Sequence, residues 1–135
     1  MSLPSAIVGR RSPRVNVPVR TRTSALVALA CAASAGVHAA LVPAHLREGG
    51  PVLGGAFVLA ALLLAAAGLL ASGGRTAPAA TVLAGTALAW LLSRTTGIPG
   101  LLDREPPDPL GVAITVVEVV ATLAAVTLPH HREDT

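Results

Sequence analysis

The residues able to do chemistry in this chain are few, and they interrupt otherwise apolar sequence. His38 and His45 stand seven residues apart, Glu48 follows three residues later, and Glu118 lies alone within a long Val/Ala/Leu run. Three kinds of chemistry fit such a set. Neutral imidazoles with Glu48 and Glu118 could ligate a divalent transition metal, giving the candidate set His38, His45, Glu48 and Glu118. An i, i+7 spacing puts the rings about 10 Å apart on a helix, so one ion would reach both only if the helix unwound between them. His38 and Glu118 could instead form a proton-coupled pair, since imidazole titrates near neutrality. The third option is an interhelical hydrogen bond that fixes register, because polar groups inside membrane bundles commonly act as packing glue.

What must position these groups follows from composition. Of 135 residues, 53% are hydrophobic and 13% charged, with a mean hydropathy of +0.69, whereas a soluble domain this short needs far more polar surface. All ten basic residues are arginine, and with abundant Ala, Gly and Pro this resembles a high-GC bacterial composition. The single cysteine, Cys31, excludes an intramolecular disulfide framework and any zinc site built from several thiolates. Four apolar stretches, about 24–44, 52–71, 77–93 and 110–128, are each long enough or nearly so to span roughly 30 Å of hydrocarbon as helices. Backbone groups in lipid must pair within their own segment, and no period-two alternation favours strands. The expected fold is therefore all-α: a four-helix transmembrane bundle at 24–128, preceded by a disordered basic arm at 1–23 and followed by a tail at 129–135.

Arginine placement sets the expected orientation. Arg10, Arg11, Arg14, Arg20, Arg22, Arg75 and Arg132 fall on one side and Arg47, Arg94 and Arg104 on the other, so the positive-inside rule makes both termini cytoplasmic in a bacterial inner membrane. The five arginines of the arm could also hold anionic lipid headgroups at about 1 kcal/mol each. No specific nucleic-acid binding is expected. Arg10-Arg11 is followed by Ser-Pro-Arg rather than apolar sequence, which argues against a twin-arginine signal, and apolar sequence continues past Cys31, which argues against lipoprotein cleavage.

Helical spacing then gathers the polar residues. Ser24, Val27, Cys31, Ser34, His38, Leu41 and His45 alternate steps of three and four and share one face of the first span. A ridge of small residues, Ala28, Ala32, Gly36, Ala40 and Ala44, runs on roughly the opposite side and predicts a second packed neighbour. In the last span Gly111, Thr115, Glu118, Thr122 and Ala125 share a face. An ionised glutamate facing lipid would cost several kcal/mol, so Glu118 is expected to point inward. Measured along the helices, His38 lies about 10 Å and Glu118 about 12 Å below the outer boundary, at matching depth. The predicted intramembrane site is thus His38, Glu118, Cys31, Ser34, Thr115 and Thr122, with His45, Glu48, Arg94 and Glu105 at an outer mouth. Pro43 should kink the first span and free the Ala39 carbonyl. After the third span, Gly97 suits a left-handed helix terminus and Pro99 blocks continuation. Arg94 could act there as an outer gate or clamp paired to Glu105 or Glu48.

The runs GVHAALVPAHLREGG and WLLSRTTGIPG, with Glu105-Pro106 ahead of a glutamate in the last span, resemble a family of small four-span membrane proteins common in high-GC bacteria and without an assigned activity. The resemblance covers about Gly36 to Val119 and implies the four-span topology. It marks His38, His45, Arg94, Glu105 and Glu118 as motif positions. The chain departs from that pattern at Ala44, where an acidic residue is expected, and in the Pro-rich EPPDPLG stretch. No phosphate-binding loop, HExxH or nucleophile elbow is present, so no enzyme activity is expected, and no cofactor is identified. The expected role is a structural or accessory membrane component, alone, self-associated or with a membrane partner. The alternatives are a proton-coupled small transporter or exporter and a transition-metal-binding protein.

Overall fold

A computed structural model describes residues 19–100 and 102–128, with side chains from Arg22 onward. The basic arm ahead of Val19, with Arg10, Arg11 and Arg14, the side chain of Arg20 and the tail 129–135 lie outside the described residues. Among the described residues there are three helices: α1 Val19–Ser72, α2 Thr76–Thr95 and α3 Pro109–Thr127. Each is long and apolar enough to cross a membrane. Among the described residues the all-α expectation holds, but the helix count is three rather than four. The first two predicted spans form one element, and helix starts at Val19 rather than Ser24.

Why α1 is one element and yet not one rod is decided at Gly50. Fifty-four residues of straight helix would run about 80 Å, far beyond a hydrocarbon core. Gly50 has φ 72° and ψ −169°, the one non-helical residue inside α1, in a backbone region essentially restricted to glycine. Pro51 follows at the position where a helix start tolerates a missing N–H. The polar Arg47-Glu48 pair stays helical up to this break, so no separate loop intervenes. The chain turns at Gly50, not at Pro43, which keeps helical dihedrals.

The two arms of α1, 19–49 and 51–72, fold back on one another. At one end Gly68 faces Ala28 and Cys31, so closely that a Cβ there would sit 3.1 Å from Cys31 Cβ. At the other, Phe57 stacks on His45, with ring centroids 3.7 Å apart. Contact of 28 and 31 with 68, and of 45 with 57, means that the arms run antiparallel. A Gly73-Gly74 turn, with Gly74 at φ 88°, leads into α2. Asp108 caps the start of α3 by accepting from the Gly111 amide at 2.6 Å, with Pro109 in the first turn.

The core is built from small residues. Cys31, Ala30, Ala67, Ala71, Ala79, Ala80, Ala121 and Ala125 pack around Val27, Leu64 and Leu83, while the larger aliphatics point outward, Leu69 at 76% and Val126 at 64% exposure. This inversion of the soluble pattern is what lipid permits, since a lipid tail is as good a neighbour for leucine as another leucine. Small residues inward let helix backbones approach closely. The predicted second packing face of the first span is open along its middle: Ala28 packs on the core near Gly68 and Ala44 is half-buried, but Ala32, Gly36 and Ala40 are exposed, and nothing approaches within 4 Å of a Cβ built on Gly36. The polar face is the one turned inward.

Candidate functional site

Ser34 is the centre of the buried polar arrangement. The first arm of α1 carries it fully buried beside Glu118, itself only 1% exposed on α3. The Ser34 hydroxyl donates to Glu118 Oε1. One turn further along α1, His38 Nδ1 lies 2.9 Å from the Ser34 carbonyl oxygen and 3.4 Å from its hydroxyl. The anticipated His38 and Glu118 pair is therefore mediated: both side chains meet Ser34 rather than each other. A carbonyl only accepts, so His38 Nδ1 donates in that contact. His45 repeats the arrangement, with Nδ1 3.0 Å from the Leu41 carbonyl.

His38, His45 and Glu118 line a cavity of about 300 Å³ bordered by α1, α2, α3 and the connector after α2. Its deep wall holds His38, Thr115 and Glu118. Its flanks are apolar, from Leu41, Leu53, Phe57 and Ile114, and its rim carries His45, Arg94, Glu105 and Asp108. The rim is tied by ion pairs. Arg94 Nη1 donates to Glu105 Oε2 and Nη2 to Asp108 Oδ2 at 2.9 Å, while the guanidinium stands 5.6 Å from the centre of the Trp90 ring. The connector is pinned by the Glu105 amide on the Ser93 carbonyl, at 3.1 Å, and by Arg104 Nε on the Arg94 carbonyl, at 3.2 Å. Gly97, at φ 73°, makes the tight exit from α2: a Cβ there would fall 2.8 Å from the Leu102 carbonyl oxygen. The Gly111 amide, donating to the carboxylate, holds Asp108 below its usual range; burial works against that, and the Arg94 guanidinium adds to it.

The predicted site residues divide accordingly. His38, His45, Arg94, Glu105, Thr115 and Glu118 share one cavity wall, and Ser34 anchors the acid from behind. Cys31 is part of the apolar core instead. Thr122 borders a separate depression between α2 and α3. Glu48 is exposed and off the cavity wall, so Arg94 takes Glu105 and Asp108 as partners. Among the described residues no three His, Cys, Asp or Glu side chains converge as a metal site would require, and the set His38, His45, Glu48 and Glu118 is not gathered. Sequence reasoning missed Asp108, Trp90 and Phe57. Asp108 had a readable signal, an Asp-Pro pair immediately before an apolar run, which is a helix-start signature. Comparison with known protein families, with curated proteins and with solved structures finds no match to this chain.

Proposed function

We propose that this chain is a multi-pass protein of a bacterial inner membrane that binds a small molecule in its cavity and exchanges a proton at Glu118 as the ligand comes and goes, the chemistry of a small proton-linked transporter. The observation carrying this reading is the cavity itself. About 300 Å³ of space joins a buried, ionisable Glu118 to an ion-paired rim, at the lower end of the size range of small-molecule pockets. A carboxyl needed only for packing has no use for such a space beside it. In this reading the reversal at Gly50 lets α1 cross twice, giving four crossings, and the arginine distribution favours both ends of the chain in the cytoplasm with the cavity opening outward. The arm arginines then lie at the anionic inner leaflet.

A specific observation favours a second reading, that of a structural or accessory component: the Ser34 to Glu118 bond joins α1 to α3 and would serve as a register latch with no transport at all. Proteoliposomes holding a pH-sensitive dye separate the two. Under an imposed pH gradient, wild-type protein should release protons when screened ligands are added, and Glu118→Gln should abolish that release while keeping helical content and assembly. If Glu118→Gln only lowered stability and left proton movement untouched, the structural reading would replace the transporter.

A further inference from the structure

We propose that the ligand is a compact, mainly apolar primary ammonium ion, seated with its charge against Glu118 in exchange for that residue's proton. The proposal rests on the small-molecule reading above and narrows it to a chemical class. The charges facing the cavity make the first argument. The connector contributes Glu105 and Asp108, α3 contributes Glu118, α2 contributes Arg94, and α1 contributes only His38 and His45. Three carboxyls thus oppose one guanidinium. Arg94 is committed to the two rim carboxylates, which leaves Glu118 no guanidinium partner among the described residues. The deep wall thus holds a carboxyl and no guanidinium among the described residues, and a low-dielectric pocket of negative charge concentrates cations.

Unused hydrogen-bonding capacity makes the second argument. Ser34 is the one hydrogen-bond partner of Glu118 among the described residues, and it occupies a single carboxylate oxygen. Three residues earlier on the same face of α3, Thr115 is a lining residue of the cavity and also of the depression between α2 and α3, and its buried hydroxyl has no partner among the described residues. Threonines in helices ordinarily satisfy this group on the preceding turn, as Thr86 does here on Val82 and Leu83. A carboxylate with one oxygen unengaged and a second unpartnered oxygen one turn away on the same helix would suit a group bearing several N–H donors. It rejects a second carboxylate by charge. A neutral alcohol would satisfy the hydrogen bonds and leave the charge unmet. The flanks formed by Leu41, Leu53, Phe57 and Ile114 suit an apolar body.

Trp90, the only tryptophan in the chain, lines the cavity and supplies a direct readout. Full-length protein in zwitterionic-lipid nanodiscs would be titrated with benzylammonium, benzyl alcohol and benzoate while Trp90 emission is followed. Benzylammonium should give a saturable change at least tenfold tighter than benzyl alcohol, and benzoate should give none. Once the pH is low enough to protonate Glu118, apparent affinity should fall about tenfold per further unit, as competition with one proton requires. Glu118→Gln should erase the preference for the cation, and Thr115→Val, which removes only a hydroxyl, should weaken benzylammonium several-fold with helical content unchanged. If benzyl alcohol or benzoate bound as tightly as benzylammonium, and neither pH nor Thr115→Val mattered, the ammonium assignment would fall and the small-molecule cavity would stand. If no probe gave a saturable change with helical content intact, both would fall.

Discussion

At the scale of single residues, the inner site depends on one hydroxyl. Ser34 gives Glu118 the one hydrogen bond it has among the described residues. Interhelical bonds in membranes average about 0.6 kcal/mol, whereas a buried acceptor stripped of its donor costs about 1–3 kcal/mol. Ser34→Ala should therefore destabilise the fold by about 1–2 kcal/mol in a reversible unfolding assay. In the double variant with Glu118→Ala, the two losses should not add, because both break the same contact. Asp108 at the rim makes a pH prediction. Its carboxyl is depressed in the folded state, chiefly by the Gly111 amide and then by Arg94. The stabilisation it gives is fully present above the unfolded carboxylate value of about 3.9 and is lost as pH falls through the lower, folded value. Melting temperature should drop between pH 5 and the acid limit, and Asp108→Asn should flatten that drop. Sequence spacing placed His38, His45 and Glu118 on inward faces, and all three line the cavity. It could not place Ser34 between His38 and Glu118, because depth along a helix fixes height and not which side chain reaches across. Glu48 shows the same limit: three residues past His45, it nevertheless points away from the cavity.

Among the elements, two glycines set the geometry by different physics. At Gly50 nothing would touch an added Cβ, but φ 72° with ψ −169° is strained for any L-residue. Gly50→Ala should cost about 1–3 kcal/mol from backbone strain alone. Gly97 combines positive φ with main-chain atoms at 2.8 Å and 3.0 Å from a Cβ. Gly97→Ala should therefore shift the connector, part the Arg94 to Glu105 pair, and change Trp90 fluorescence as well as lower the melting temperature. Helix limits were legible to within two residues for α2 and α3, because prolines, glycines and the Asp108 cap punctuate them chemically. The merger of the first two spans was not legible. Gly49-Gly50-Pro51 reads equally well as a loop or as a single-residue turn. The small-residue ridge of α1 fails for a related reason: periodicity groups residues on a face but does not say whether a neighbour covers it.

For the whole molecule, an exterior of large aliphatics around a core of small residues with a buried Glu118 suits lipid, and it makes topology the decisive test. Four crossings require that single cysteines introduced at positions 3 and 134 react with an impermeant maleimide from the cytoplasmic face and those at 48 and 103 from the outer face, with the buried Cys31 silent. Labelling of positions 3 and 134 from opposite faces would rule out an even number of crossings. A leucine- and valine-covered surface gains nothing from leaving lipid for a like surface, so association with other copies must come from packing shape. The Ser34 to Glu118 bond spans 84 residues of chain. During synthesis Ser34 is delivered long before its acceptor exists, and the arms of α1 can pair while that hydroxyl still waits. Arrival of α3 is then the event that seals the interior, and a nascent chain stalled short of Glu118 would carry an unsealed polar stripe, a distinguishing mark by which membrane quality control could recognise it as unfinished.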